Sequence, residues 1–322
     1  MTFIRSDIEI AAALLENGQV IAIPTETVYG LAGNALNCDS VKKIYEIKNR
    51  PLTNPLIIHL PDIAQLDKYV KNIPAIAKKL AEQFWPGPLT LLLPKRDIIP
   101  DIVTSGLPNV AVRIPNHPLA LQLLRRLSFP LAAPSANPFG YISPTSAEDV
   151  KKILSGKISY ILDGGFCETG IESTIIGFKD DKPIIYRLGA ISADLIEKVV
   201  GKVEMNHKTE FPVSPGMLPS HYAPHTPFFL INNIKELLET SPADTGLLSF
   251  SHLYSFIPRH HQEILSVNGS LDEAAHNLYK AMLRLDNLKL ARIVAKRVPD
   301  IGIGVAINDR LERAAHKNYK NA

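Results

Sequence analysis

Two cations one residue apart, Lys48 and Arg50, stand directly before Pro51. A residue before proline is pushed toward extended backbone, and alternate side chains of an extended segment share a face. The K-x-R is therefore read as a paired cationic clamp suited to a polyphosphate; the plain alternative is a solvated helix end with favourable charges near its C-terminus. A second set of groups lies in Ile21 to Gly33, IAIPTETVYGLAG, where an apolar run stops at Pro24 and gives way to Thr25, Glu26, Thr27 and Tyr29. Hydroxyls, a carboxylate and a phenol at a strand tip suit a small polar ligand, and an ordinary strand followed by a tight turn is the competing reading. Arg113 sits among apolar residues in NVAVRIP and needs a carboxylate or phosphate partner, which a ligand or a structural Asp or Glu would supply equally well. Ser135 and Asn137 in FPLAAPSANP, Ser143 in the next polar turn, Ser173 and Thr174 in GIESTIIG, and Arg187 after another apolar run repeat the pattern of polar groups at strand ends. His59 in PLIIHL, among apolar neighbours, reads by itself as a core residue.

The elements that position these groups follow from periodicity and punctuation. Ser6 and Glu9 form a capping box for a helix over Asp7 to Asn17, closed at Gly18. A second helix starts at Asp39, turns Val41, Ile44 and Ile47 inward and ends before Lys48. Strands are expected at Pro55 to Leu60, Leu89 to Pro94, Asn109 to Pro115, Ser159 to Gly165, Gly170 to Gly177 and Pro183 to Leu188. Helices are expected over Pro74 to Phe84, from a cap at Thr145 and Glu148 towards Leu154, and over Ser192 to Val200. From 201 to 227 the chain is polar, proline-rich and aperiodic, and reads as a linker. Beyond it come the strand TPFFLIN, a helix around Ile234 to Thr240, the strand TGLLSFS, a long amphipathic helix near Ala274 to Leu285, a strand over Ile293 to Val298 and a last helix after Gly302. The expected organisation is α/β throughout: 1–200, a twisted mixed-sheet domain with a concave active-site face; 201–227, a linker; 228–322, a small Rossmann-like parallel α/β domain. G-x-G at Gly302 and Gly304 lacks the third glycine and acidic partner of a dinucleotide site and reads as a turn.

Composition narrows the classes. With 46% hydrophobic and 21% charged residues in 322, the chain can build more than one core. Lys plus Arg exceed Asp plus Glu by 35 to 32, too mild a balance to indicate an anionic partner. Cys38 and Cys167 lie far apart without metal-type spacing, so neither a disulfide framework nor a zinc site is expected, and a reducing cytoplasm fits. His221 and His225 have zinc-ligand spacing, but Pro224 between them breaks the helix that such spacing requires, so no protein metal site is expected. No apolar run is long enough to span a bilayer, and MTFIRSDIEI has no signal-peptide pattern.

Seven motifs then occur in one order: PTETVYGL, the K-x-R-P of Lys48 to Pro51, P-L-x-x-H of Pro55 to His59, W-P-G-P-x-T of Trp85 to Thr90, V-R-x-P of Val112 to Pro115, P-S-A-N of Pro134 to Asn137 and E-S-T of Glu172 to Thr174. Each is weak alone; the ordered set resembles the YrdC-type threonylcarbamoyl-AMP synthases. PGM at Pro215 to Met217 and HYAP at His221 to Pro224, before a second α/β segment, resemble the two-domain long form of that family.

The resemblance implies a YrdC-like first domain and a reaction in which L-threonine, bicarbonate or carbon dioxide, and ATP give threonylcarbamoyl-AMP and pyrophosphate. The product would pass to a tRNA threonylcarbamoyl transferase that modifies the adenosine beside the anticodon. By position, Thr27, His59, Arg113, Ala133 and Ser173 match residues used around threonine, and Arg50, Asn54, Asn109, Ser135, Ser143, Arg187 and Tyr222 match those around ATP. Asn109 replaces a threonine common in relatives. Lys48 and Arg50 would neutralise charge at the α-phosphate, with magnesium carried by ATP, and no Walker A sequence is present. The segment Pro212 to Pro227 is expected to act as a lid with Tyr222 near the nucleotide. Two readings compete: a tRNA- or double-stranded-RNA-binding or ribosome-assembly protein using a concave cationic face, and carbamoyl transfer from carbamoyl phosphate. The mostly Ser, Thr and Asn motif positions speak against the first, and the appended domain against the second.

Overall fold

The computed structural model describes residues 1–206, 220–231, 233–234 and 242–319. The chain divides into two compact units: Met1–Phe139, Pro144–Glu168 and Glu172–Met217 form the first, and Gly140–Ser143, Thr169–Ile171 and Leu218–Ala322 the second.

In the first unit the chain runs β1 (Phe3–Arg5), α1 (Ile8–Glu16), β2 (Ile21–Ile23), β3 (Gly30–Asn34), α2 (Cys38–Lys48) and β4 (Ile57–His59). It continues with α3 (Ala75–Phe84), β5 (Leu89–Pro94), α4 (Asp101–Thr104), β6 (Asn109–Arg113), α5 (Pro118–Arg126) and β7 (Leu131–Ala132). Then come α6 (Ala147–Leu154), β8 (Tyr160–Leu162), β9 (Thr174–Lys179), β10 (Lys182–Arg187), α7 (Ala193–Val200) and β11 (Glu204–Met205). The strands form one mixed sheet in the order β1-β8-β2-β3-β7-β4-β6-β5-β9-β10-β11. β11 lies in the stretch read from sequence as linker; its parallel pairing with β10 is a tertiary contact that local composition does not encode.

Period-two alternation distributes the sheet between two helical layers. Along β2, Ala22 joins a large core with Val41 and Ile44 of α2, Leu80 of α3 and Val150 of α6, while Ile21 and Ile23 join Ala11 and Leu15 of α1 and Leu123 of α5. Along β4, β5, β6 and β9 the second face differs. Ile58, Leu91, Val112 and Ile176 enter the large core, but the opposite face carries only a small cluster of Ile57, Leu92, Ala111 and Ile175, with Tyr186 against it.

Local chemistry corrects three expectations. The first helix is capped by Asp7, whose carboxylate accepts from the Ile10 N–H, rather than by Ser6. α6 is capped by Ser146 bonding the Asp149 N–H, one residue beyond the expected Thr145. α2 opens on Asn37, which accepts from the Asp39 and Ser40 N–H groups, and runs through Lys48. Asn49 ends it in the left-handed conformation at φ 52°, so Lys48 and Arg50 straddle a helix C-cap instead of alternating along an extended segment.

The second unit holds β12 (Phe228–Ile231), β13 (Thr245–Ser249), β14 (Gln262–Ile264), α8 (Leu271–Asn287), β15 (Arg292–Lys296) and α9 (Ile303–Tyr319). Its sheet has the order β12-β15-β13-β14 with every pairing parallel. The expected helix around Ile234 to Thr240 lies, beyond its first residue, outside the described residues, as do residues 212–219 of the expected lid. No helix among the described residues is long and apolar enough to cross a membrane.

Candidate active site

The uncovered face of β4, β5, β6 and β9 is where the polar strand ends meet. Ile57 and His59, Ala111 and Arg113, Leu92 and Thr90, and Ile175 and Ser173 are two residues apart, so each polar group shares a face with a member of the small apolar cluster. The register then brings them to one end: His59 is opposite Arg113, Arg113 is opposite Thr90, and Thr90 is opposite Ile175. The Thr90 and Ser173 hydroxyls are 2.7 Å apart, and the Arg187 guanidinium donates to the Ser173 carbonyl at 2.8 Å and to its hydroxyl at 3.0 Å. Ala133 joins through its N–H, which donates to the Ile57 carbonyl at 3.0 Å.

The tip after β2 is tied to this end by a buried ion pair, Arg113 Nη2 to Glu26 Oε1 at 2.8 Å. The structural carboxylate that Arg113 could take is therefore Glu26. Both Glu26 oxygens otherwise lack a hydrogen-bond donor among the described residues. Thr25 shapes the tip from within: its hydroxyl donates to the Val28 carbonyl, accepts from the Thr27 and Val28 N–H groups and lies 2.8 Å from the Thr27 hydroxyl. Tyr29 ties the same tip to the end of β8, where its hydroxyl accepts from Gly164 N–H and donates to the Gly165 carbonyl. Gly164 has to be glycine, because a Cβ there would lie 2.5 Å from the His117 ring and 2.6 Å from Pro24.

The cationic pair forms a second group. Lys48 donates to the Ser135 and Asn137 carbonyls, each at 2.5 Å, which joins α2 to the P-S-A-N turn and uses two of its three ammonium N–H groups. Arg50 donates through Nε to the Asn54 carbonyl and through Nη2 to Asn54 Oδ1 and the Pro55 carbonyl, and its guanidinium lies 5.7 Å from the Phe139 ring centre. Burial, and next the Arg50 charge, hold the Lys48 ammonium well below the usual lysine range.

The structure thus gathers Thr27, His59, Arg113, Ala133, Ser173 and Arg187 in one group, and Lys48, Arg50, Asn54 and Ser135 in another next to it along the chain from Ala133 to Ser135. Asn109 is not gathered with them. It shares the face of Arg113 but stands at the other end of β6, roughly 13 Å away at strand rise, beyond Ala111 and Leu92, and lines a separate cavity with Phe178, Asp180 and Asp181. Ser143 and Tyr222 belong to the second unit, where the Tyr222 ring is buried against Tyr279 and lies 5.4 Å from the Arg310 guanidinium. Glu26 and Thr90 were not assigned roles from sequence, although both lie inside the quoted motifs; the need of Arg113 for a carboxylate was the available signal.

No side chain here is set up as a nucleophile. Burial pushes the Cys167 thiol up, away from thiolate, and the Ser173 hydroxyl is engaged by Thr90 and Arg187 rather than by a base. His59 is held neutral: burial first, then the Arg113 charge, push its imidazole down to about 3, and its Nδ1 has no hydrogen-bond partner among the described residues. This predicts a pH signature. Between the ordinary histidine value and about 3 the unfolded chain binds a proton that the folded chain refuses, so stability falls as pH falls through that window. Denaturant unfolding at pH 7 and pH 5 should show a loss for the wild type about 2 kcal/mol larger than for His59→Gln. Equal losses would show that His59 is not held neutral.

Residues 13–189 match the family model described as Telomere recombination, and residues 191–316 the one described as Threonylcarbamoyl-AMP synthase, C-terminal domain. A threonylcarbamoyl-AMP synthase of Bacillus subtilis is 43% identical over 317 residues, which are 95% of this chain and 92% of that protein. One of Pyrococcus abyssi is 39% identical over 321 residues, 96% and 94% of the two chains. Among solved structures, that of P. abyssi Sua5 complexed with L-threonine matches with a TM-score of 0.89 at 37% identity and covers 98% of each chain. With both models matched in order and this identity sustained over nearly the whole length, the chain belongs to the threonylcarbamoyl-AMP synthase family, in its two-domain form.

Proposed function

We infer that this protein condenses L-threonine with bicarbonate or carbon dioxide and transfers the adenylyl group of ATP to the resulting carbamate, giving threonylcarbamoyl-AMP and pyrophosphate. The observation that carries this reading is the convergence of His59, Arg113, Thr90 and Ser173 on one open sheet face, with the Glu26 tip drawn onto it and Lys48 and Arg50 beside it. The cations are buried, with Lys48 at 1%, Arg50 at 7%, Arg113 at 4% and Arg187 at 7% exposure, which suits a small enclosed anion and not the backbone of an RNA duplex.

Arg113 offers its donor fork to the threonine carboxylate. Glu26, whose oxygens have only Arg113 as partner among the described residues, takes the threonine ammonium and accepts its proton; the freed amine adds to carbon dioxide, and the second proton that its nitrogen loses on becoming a carbamate passes to water. A carbamate oxygen then bonds to the α-phosphorus as the bond to the bridging oxygen of pyrophosphate breaks. Lys48 and Arg50 neutralise the charge that spreads over the phosphoryl oxygens. Magnesium is expected to enter with ATP, held by the phosphate oxygens as part of the substrate. The product goes to a tRNA threonylcarbamoyl transferase, and the site of action is the cytoplasm.

The purified protein, incubated with ATP, magnesium, bicarbonate and threonine, should yield threonylcarbamoyl-AMP by mass spectrometry, with equimolar pyrophosphate. Lys48→Ala and Arg50→Ala should each lower turnover by more than about tenfold, and Arg50→Lys should rescue only in part because the planar fork is lost. No adduct from the wild type would overturn the assignment, and near-normal pyrophosphate release by both Ala variants would remove these cations from the reaction.

A further inference from the structure

The second unit contains a cavity of about 380 Å³ lined by Ser249, Ser251, Tyr254, Lys296 and Arg297, with Phe250 beside them. Its place in the fold is specific. β13 and β15 are adjacent and parallel, with Leu248 opposite Ala295, and they end on Ser249 and Lys296. The cavity therefore lies just outside the carboxyl ends of neighbouring parallel strands, the position where open α/β sheets bind ligands. Its volume falls within the rough 300–1,000 Å³ of small-ligand pockets.

Both walls are fixed. On one side the Ser249 hydroxyl donates to the His252 carbonyl at 2.6 Å and accepts from the His252 N–H at 3.2 Å, which closes the loop after β13. On the other, buried Asn308 of α9 accepts from the Val298 N–H and donates to the Val298 carbonyl, both at 3.0 Å. Gly304 lets the chain double back tightly after β15, since a Cβ there would stand 2.1 Å from the Pro299 carbonyl oxygen. The loops that carry Ser251 and Arg297 are thus held by their own side-chain bonds before any ligand arrives.

The lining has two chemistries. Among the described residues, Lys296 is exposed and has no hydrogen-bond or ion-pair partner, and Arg297 is paired only with half-exposed Glu312, a pairing of little worth that a divalent anion can displace. With the Ser251 hydroxyl these cations suit phosphate oxygens, and Phe250 and Tyr254 offer aromatic surface for a flat ring. We propose that this cavity is a second nucleotide site, distinct from the first unit, which takes a mononucleoside phosphate with its phosphate on Lys296 and Arg297 and its base on the aromatic side.

The test is photolabelling of the full-length protein with 8-azido-AMP, followed by peptide mapping. Label is expected on a peptide from 249–254 or 296–299, reduced by an excess of AMP or of inorganic phosphate and much less by adenosine. Lys296→Glu combined with Arg297→Glu should weaken that label at least about tenfold while labelling of the first unit stays as it was; both residues are exposed, so the fold should survive. Calorimetric titration with AMP on an Arg50→Ala background should report the same loss of affinity independently of the first site. The proposal is overturned if no label falls on these peptides, if the charge reversal leaves it undiminished, or if an RNA oligonucleotide competes and AMP does not.

Discussion

Replacing Arg113 with methionine should cost about 3–5 kcal/mol of stability and about two to three orders of magnitude in kcat/KM for threonine. The first loss arises because Arg113 and Glu26 are both buried at a separation of 2.8 Å, so removing the guanidinium strands a carboxylate away from water. The second is expected from the role proposed above for the same guanidinium, as donor fork for the substrate carboxylate, and it should appear mainly in KM. The two losses separate in a double variant. Glu26→Gln with Arg113→Met removes both charges and should recover stability to within about 1 kcal/mol of wild type, since an uncharged pair of similar volume replaces a buried ion pair at little cost. Activity should stay low. Thermal shift gives an independent readout: threonine should raise the Tm of the wild type in proportion to its occupancy and leave the double variant unmoved. Recovery of activity together with stability would mean that Glu26 takes no proton from the substrate and that Arg113 acts only by holding the tip after β2.

Much of this site was legible in the chain because its parts are local. Each polar group stands at the end of an apolar run, and period two alone puts His59 on the face of Ile57, Arg113 on that of Ala111 and Ser173 on that of Ile175. What was not legible was set by contacts between distant segments. NVAVRIP shows that Arg113 needs an anion but not that the anion is Glu26, since the pairing exists only once the β2 tip folds onto the end of β6. The same holds for Glu204–Met205, which became a strand through β10, and for Gly140–Ser143 and Thr169–Ile171, which group with the second unit. The cap errors have a different source. In both S-D-I-E and T-S-A-E-D two neighbouring residues can each bond a backbone N–H three positions on, and sequence spacing cannot choose between Ser6 and Asp7 or between Thr145 and Ser146. The proline rule misplaced Arg50 for a related reason. Pro51 does free its predecessor from helical geometry, but the turn is made one residue earlier, by Asn49 in a left-handed cap that asparagine tolerates.

Valine should be rejected by about four orders of magnitude in kcat/KM relative to threonine, while serine should lose only about ten- to two-hundredfold. The difference lies in what each analogue leaves behind. Ile57 and Ile175 give the proposed site an apolar floor on which the methyl group is expected to pack, and a missing methyl forfeits only a small burial term. The hydroxyl is a different case, because His59 is neutral and buried, its Nδ1 without a partner among the described residues, at the edge of that floor, while the Ser173 and Thr27 hydroxyls already bond Thr90 and Thr25. Threonine can satisfy that ring nitrogen. Valine fills the same volume and would leave it desolvated without a partner. The assignment to His59 is testable apart from the pocket as a whole: His59→Leu removes the polar atom that valine offends, so it should lower activity with threonine and bring the two substrates to within about tenfold of each other. Pyrophosphate release with each amino acid at low concentration measures the ratio. If valine competes within tenfold of threonine in the wild type, the site does not read the hydroxyl; if the wild type discriminates and His59→Leu discriminates equally, another group does the reading.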